Sequence, residues 1–227
     1  MLTEQEGLSS KRLSVPRGDV ALTLFNVYSS LMLKTHLLTV VFDPVKLNLD
    51  KDDCDAQGVN AIVITHEHYD HFDEKLVLEM QKGSDAIIIT TPFVAQKLEG
   101  IGEKVKGIRV GDSVKIKDVT FCAEYNEHMA NQPLSFIIKT DTVTIYHPDD
   151  SDPSPGMKEI GNKYEPDIML YMGTSEKDLI KITEMVRPSI VILHFDSRFA
   201  DLKIPGVELR TLKQCETFRY PQPRELQ

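Results

Sequence analysis

Nine residues from Thr65 to Asp73 read THEHYDHFD and concentrate most of the chain's ligand chemistry. Between His66 and His71 stand His66, His68, Asp70 and His71, in a chain with only 7 histidines among 227 residues. Neutral imidazole offers a nitrogen lone pair to Zn²⁺, Fe or Mn at about 2.0–2.2 Å, and a carboxylate adds a hard oxygen. Side chains two apart in an extended loop point the same way, so His66 and His68 can grip one ion. Asp70 and His71 fall on the following turn, displaced enough to serve a second ion. In an extended loop Glu67 and Tyr69 would point away from the metal.

A ligand set of this kind needs a stiff platform. The run before it, AIVIT at Ala61 to Thr65, is apolar throughout and predicts a strand buried on both faces. Asp73 is placed to cap a helix reaching Gln81. Upstream, Val20 to Leu33 and Leu37 to Phe42 read as two strands around a turn near Lys34 and Thr35, the second stopped by Asp43-Pro44. Ala86 to Thr90 is a further strand, and Thr91-Pro92 opens a helix through Leu98. Hairpin texture follows at Val114 to Ile116, Val119 to Tyr125, Leu134 to Lys139 and Val143 to Tyr146, with Asp141-Thr142 as a turn. Ile168 to Tyr171 and Ile190 to Leu193 are buried strands around a helix capped at Ser175 and ending at Val186, with Ile180, Ile182 and Met185 toward a core. The tail from Pro221 is expected to fray. Hairpins mixed with strand–helix–strand units predict an α/β protein of two mixed sheets face to face with helices outside. A single domain over residues 1–227 is expected, since no linker or repeat divides the chain.

Composition excludes several functions. Lys and Arg number 26 against 35 Asp and Glu, a net charge of −9, and aromatics are 7% with no Trp. A broad phosphate-tracking surface needs clustered cations, and strand binding needs stacking rings, so no nucleic-acid partner is expected. No apolar run approaches the ~20 residues of a membrane helix. Cys54, Cys122 and Cys215 form no C-x-x-C pair. These features fit a soluble protein of a reducing cytoplasm.

H-x-H-x-D-H after a buried strand resembles the signature of the metallo-β-lactamase superfamily, and the resemblance extends over Val20 to Arg198. It implies an αββα sandwich with a dinuclear site along one edge of the sheets. It also implies a third histidine after a strand, matched by His128 in YNEHM, and a last one ending a late strand, matched by His194 in SIVILHFD. Between them the family has a metal-bridging aspartate, usually in a G-D-T setting. Asp150 in IYHPDDSD stands there, with Asp149 in place of the glycine and Ser151 in place of the threonine; Asp149 or Asp152 could compete as the bridge. By resemblance, His66, His68 and His128 hold the first ion, and Asp70, His71 and His194 the second. The short loops, FDP at Phe42 to Pro44 and the run before Asp150 are most similar to the UlaG-like branch of small metal-dependent hydrolases. Where that branch often has G-H-A/S-S, this chain has Asn26-Val27-Tyr28-Ser29-Ser30.

The implied cofactors are two divalent ions, Zn²⁺ first, with Mn²⁺, Ni²⁺ or Fe also accepted by such ligands. The implied activity is hydrolysis of a small ester, lactone or phosphodiester by an ion-activated water that Asp70 orients. With only two carboxylates among seven ligands, the loaded site would be net positive and would draw a small anionic substrate. Arg198 could bind its phosphate or carboxylate, or simply balance Asp196 or Asp201. His147 reads as strand-end structure or a support for the ligands, His36 as a hairpin residue, and Tyr28 and Ser29 as either pocket mouth or core. The alternatives are a metal-stabilised binding or sensor protein, a nuclease of the same superfamily, and a di-iron redox enzyme. The last two usually carry an extra domain for which 227 residues leave no room.

Overall fold

The computed structural model describes residues 13–26, 28–47, 58–193, 199 and 201–221. The first sheet contains β1 (Val20–Leu24), β2 (Leu31–Lys34), β3 (Thr39–Phe42), β4 (Ala61–Val63), β5 (Ile87–Thr90), β6 (Val105–Gly107) and β14 (Thr217–Tyr220), in the order β14-β1-β2-β3-β4-β5-β6. The second contains β7 (Ser113–Ile116), β8 (Val119–Tyr125), β9 (Leu134–Lys139), β10 (Thr144–His147), β11 (Ile168–Tyr171), β12 (Ile190–Leu193) and β13 (Glu208–Thr211), in the order β13-β12-β11-β10-β9-β8-β7. Each sheet is antiparallel on one side and parallel on the other: β3 to β6 run parallel in the first, β10 to β13 in the second.

The parallel strands explain the apolar runs, because each is covered on both faces. In β4, Ala61 and Val63 face the core between the sheets, while Ile62 and Ile64 face α1 (Glu74–Ser84) and α2 (Pro92–Lys97). In β11 and β12, Ile168, Leu170, Ile190 and Ile192 join the same central core. Met169, Tyr171, Val191 and Leu193 face α3 (Gly156–Tyr164) and α4 (Glu176–Val186). The layers are therefore helix, sheet, sheet, helix, as the sequence predicts.

Asp73, Thr91 and Ser175 cap α1, α2 and α4, each accepting a backbone N–H three residues on. The buried stripe of α4 is Leu179, Ile182, Thr183 and Val186, with Ile180 and Met185 at its margin. Gly161 of α3 lies so close to α4 that an added Cβ would sit 2.6 Å from the Val186 carbonyl oxygen.

One expected strand is divided. Val20 to Leu33 breaks between β1 and β2, because the Asn26 side chain accepts the Tyr28 N–H and donates to the Val45 carbonyl. This Asx turn competes with the ladder and reverses the chain. Short charged strands β6, β13 and β14 were not expected from the pattern. Each sheet ends on such strands or on β7, with Lys106, Lys115, Glu208, Arg210 and Arg219 along the edges. Beyond Pro221 the tail lies outside the described residues. Among the described residues no helix is long and apolar enough to cross a membrane.

Candidate metal centre

β4, β5 and β6 are parallel neighbours, so the segments leaving their C-terminal ends emerge side by side on one edge. The segment after β4 carries His66 to His71. Its base is fixed by Asp43, the residue after β3, whose carboxylate accepts the Thr65 N–H at 2.8 Å and the Thr65 hydroxyl at 2.9 Å. The chain then turns as His68 O accepts the N–H groups of His71 and Phe72. Ser29 Oγ donates to the Asp70 carbonyl at 2.9 Å, tying that turn to the β1–β2 connection.

Among the described residues, three groups of side chains able to hold a metal result, each with ligand atoms within 4.8 Å of one another: His66, His68 and His128; His66, His71 and Asp150; and Asp43, His147 and Asp149. His128 arrives from the β8–β9 connection, with Nε2 3.1 Å from His68 Nδ1. Asp150 Oδ2 lies 3.2 Å from His71 Nε2 and 3.9 Å from His128 Nε2, so one carboxylate faces both of the first two groups. Asp152 is exposed and Asp149 faces the other way. Asp70 belongs to none of the three groups, and His194 and Arg198 lie outside the described residues.

The residues fit a cation. His66 Nε2 is buried and has no hydrogen-bond partner, an expensive state for an imidazole nitrogen unless a Lewis acid or donor meets it. Its other nitrogen is engaged: His66 Nδ1 lies 3.0 Å from Asp149 Oδ2 and 3.1 Å from Thr65 Oγ1. His71 repeats the pattern, with Nδ1 3.1 Å from Asp43 Oδ2 and Nε2 toward Asp150. Carboxylates at Nδ1 place the proton there and leave Nε2 as the basic face, the orientation used by ligating histidines.

Electrostatics follow the same geometry. Burial disfavours a charge on His66 and His71, but the Asp149 carboxylate outweighs it and raises both above the usual imidazole range. Asp149 itself is held well below the usual carboxylate range: burial opposes its charge, and His71 and His66 overcome that. Burial pushes the Asp43 carboxyl up, with His71 working against the shift. Burial, joined by His66, lowers His128, and burial lowers His147. His147 is therefore neutral support: its Nδ1 accepts the Asp149 N–H at 3.2 Å and its ring packs 5.4 Å from that of Phe42.

Asp43 and Asp149 add two buried carboxylates in contact with the candidate ligand histidines, beyond the Asp70 and Asp150 of the ligand pattern. The signal for Asp149 stood in the sequence, as an aspartate where the family pattern has glycine.

The Glu67 side chain turns away from the ligands, as expected, and has a task of its own. Its carboxylate accepts the Asn131 backbone N–H at 2.9 Å and the Asn131 amide at 2.6 Å, pinning the His128 loop to the His66–His68 segment. Burial opposes ionisation of Glu67, yet these donors hold it below the usual range. Beside the clamp opens a cleft of about 350 Å³ lined by Pro92, Phe93, Gln96, Arg109, Asn131 and Gln132. On the other flank Lys46 Nζ lies 3.7 Å from the centroid of half-buried Tyr28 and 5.6 Å from that of Tyr69, which is 77% exposed. His36 sits in the β2–β3 turn, 3.4 Å from Asp118.

A family model for the beta-lactamase superfamily domain matches residues 39–198. A UPF0173 protein from Pyrococcus abyssi is 28% identical over 175 residues, covering 74% of this chain and 80% of its own length. A UPF0173 metal-dependent hydrolase from Methanosphaerula palustris is 26% identical over 178 residues, with 70% and 76% covered. Among solved structures, the metallo hydrolase Igni18 from Ignicoccus hospitalis superposes with a TM-score of 0.74 at 21% identity, covering 89% of this chain and 98% of that one. YhfI from Bacillus subtilis, a metallo-beta-lactamase fold protein, gives 0.71 at 14% identity, with 88% and 99% covered.

Proposed function

The chain belongs to the beta-lactamase superfamily, and from that premise we propose that it is a two-ion hydrolase of a small, negatively charged ester, lactone or phosphodiester. Metal-dependent hydrolysis is the common description of its UPF0173 relatives. The observation that carries the two-ion reading is the shared position of His66 and Asp150, with His66 in both ligand groups and Asp150 facing both.

In this reading His66, His68 and His128 hold one ion, Asp70, His71 and His194 the other, and Asp150 lies between them. Bound divalent ions would supply Lewis acidity and a water acidified toward neutral pH. Asp70 would accept a hydrogen bond from the attacking water and orient it. His66 and His71 keep their basic nitrogens aimed inward because Asp149 and Asp43 hold their Nδ1 protons.

Recognition of an anionic group falls to side chains around the centre. Arg109 in the cleft beside Asn131 supplies a fork of donors suited to carboxylate or phosphate, with the Gln96 and Gln132 amides beside it and Phe93 as an apolar wall. Arg198 is the second candidate. A lactone is included among the substrates on the likeness to the UlaG-like branch, and Zn²⁺ leads the candidate metals.

The test is metal content by mass spectrometry on protein purified without chelator, followed by a screen of phosphodiesters and lactones. The expected result is about two ions per chain, falling in Asp150→Ala, with hydrolysis abolished by chelator and restored by added metal. Tight ligand binding without turnover, or a folded wild type that takes up no metal, would overturn the reading.

A further inference from the structure

The geometry points to Asp149 as a positioning residue shared by both ion sites: one buried carboxylate that orients His66 by a hydrogen bond and His71 by its charge. The inference rests on the two-ion reading and extends it to a residue outside the ligand set.

Three observations lead there. The first is backbone. Asp149 has φ +55°, the left-handed region that favours glycine, and it occupies the position where the family pattern has glycine. The turn alone is therefore met by glycine without strain, and the aspartate side chain is not needed to make it.

The second is burial. The side chain is fully enclosed, and an enclosed carboxylate is costly unless its partners compensate. Among the described residues, the hydrogen-bond and ion-pair partners of its carboxylate are His66 and His71 alone. Asp149 Oδ2 lies 3.0 Å from His66 Nδ1, and Oδ1 lies 3.2 Å from His71 Nδ1 but out of line for a hydrogen bond. The third is reach. His66 stands with His68 and His128, and His71 with Asp150, so the two oxygens of one side chain touch members of both ligand groups.

The chemistry follows from what such a partner does. A carboxylate on the outer nitrogen fixes the ring plane and makes the inner nitrogen more basic, and losing one typically costs about 10–100-fold in metal affinity. Asp43 gives His71 a separate acceptor and Thr65 Oγ1 lies near His66, so removing Asp149 weakens both sites without abolishing either. Because the same charge serves both, the loss appears in both binding steps.

The test is stepwise titration of chelator-treated protein with Zn²⁺ against a competing chelating dye, for the wild type, Asp149→Gly and Asp149→Asn. Asp149→Gly restores the residue the backbone prefers and removes the carboxylate; Asp149→Asn keeps the shape and one acceptor oxygen but not the charge. The expected result is a loss of about tenfold or more at both steps in Asp149→Gly, with Asp149→Asn in between. In the Zn²⁺-loaded wild type, the His66 Nδ1 proton should resonate in the far-downfield range of a hydrogen bond to carboxylate, and move upfield in Asp149→Asn. A smaller loss at either step in Asp149→Gly, or an unmoved His66 proton in Asp149→Asn, overturns the inference while wild-type uptake of two ions leaves the two-ion reading standing. Should the glycine variant not fold, the asparagine titration and its proton shift decide alone. A wild type that binds no Zn²⁺ sinks both.

Discussion

His66 and His71 are enclosed and braced from behind by Asp149 and Asp43, whereas His68 and His128, a few ångströms away, are half-exposed and held by a surface clamp. The enclosed pair sits on the segment that follows β4, fastened at its base to the parallel strands through Asp43 and Thr65. Of the open pair, His68 stands on the same segment as the enclosed histidines, and His128 comes from the β8–β9 connection, whose Met129 is 93% exposed. The difference teaches that one side of the centre is made with the fold and the other is closed onto it.

Breaking each side should therefore give different failures. Replacing His66 with Ala is expected to have the largest effect, because His66 faces both ligand groups. Both ions should be lost and activity should fall by more than the ~10–100-fold typical of outer-shell changes. Replacing His128 should remove one ion and leave the His71–Asp150 side able to bind the other, as counted by mass spectrometry. Loss of both ions in the His128 variant would erase the distinction between the sides.

A smaller effect is expected from the clamp. Glu67→Ala removes both bonds of the clamp and frees the His128 loop but touches no ligand, so binding of the first Zn²⁺ should weaken by roughly tenfold, with the second step unchanged. Equal weakening at both steps would mean that the clamp serves the whole centre. Arg109→Gln should raise KM severalfold for an anionic ester and leave a neutral analogue untouched.

Protonation sharpens the comparison further. His66 and His71 titrate above their ordinary 6.5 in the metal-free fold. Their contribution to stability is full below about 6.5 and is lost as pH rises through the raised values. Asp149 titrates below its ordinary 3.8, so its share is present above that value and lost as pH falls through the depressed one. His128 and His147, held low by burial, act the other way, so the His66 and His71 share is read as the extra urea resistance of metal-free wild type over Asp149→Asn, which should be larger at pH 5.5 than at pH 8 (about one unit below and 1.5 above the ordinary histidine value). Zn²⁺ affinity should run the opposite way, since cations compete with those protons. An equal difference between the two proteins at both pH values would argue against the buried histidine–carboxylate contacts.

The smallest effect on the centre is expected from Gly161→Ala, far from it in the α3–α4 contact. An added methyl meets the Val186 carbonyl and should cost about 1–3 kcal/mol of stability. It should lower Tm and leave Zn²⁺ stoichiometry unchanged.

Much of this architecture can be read in the chain. AIVI, IMLY and IVIL are apolar at every position because both faces of their strands are covered, and THEHYDH follows the first of them directly. The caps at Asp73, Thr91 and Ser175 are local chemistry and equally visible. Other features are properties of pairing. Asp43 and Asp149 leave different sheets, and only the packing of β3 and β10 across the central core brings their carboxylates to the same histidine, His71. The Glu67–Asn131 clamp joins positions 64 residues apart. β6, β13 and β14 are three or four residues long and mostly half-buried or exposed, so they carry too little apolar pattern to be read.

Those edges carry a consequence for the molecule's behaviour in company. An unpaired strand is an open template, and among the described residues the two sheets offer four of them to neighbours. Here each would present an intruder with a charge: Lys106 and Arg219 on the first sheet, Lys115 with Glu208 and Arg210 on the second. A second copy docking strand to strand would have to desolvate those groups or set like against like. The borders that add little to the core thus discourage the sheets from growing past their own chain, and crowding should concentrate this protein without stitching it into fibres.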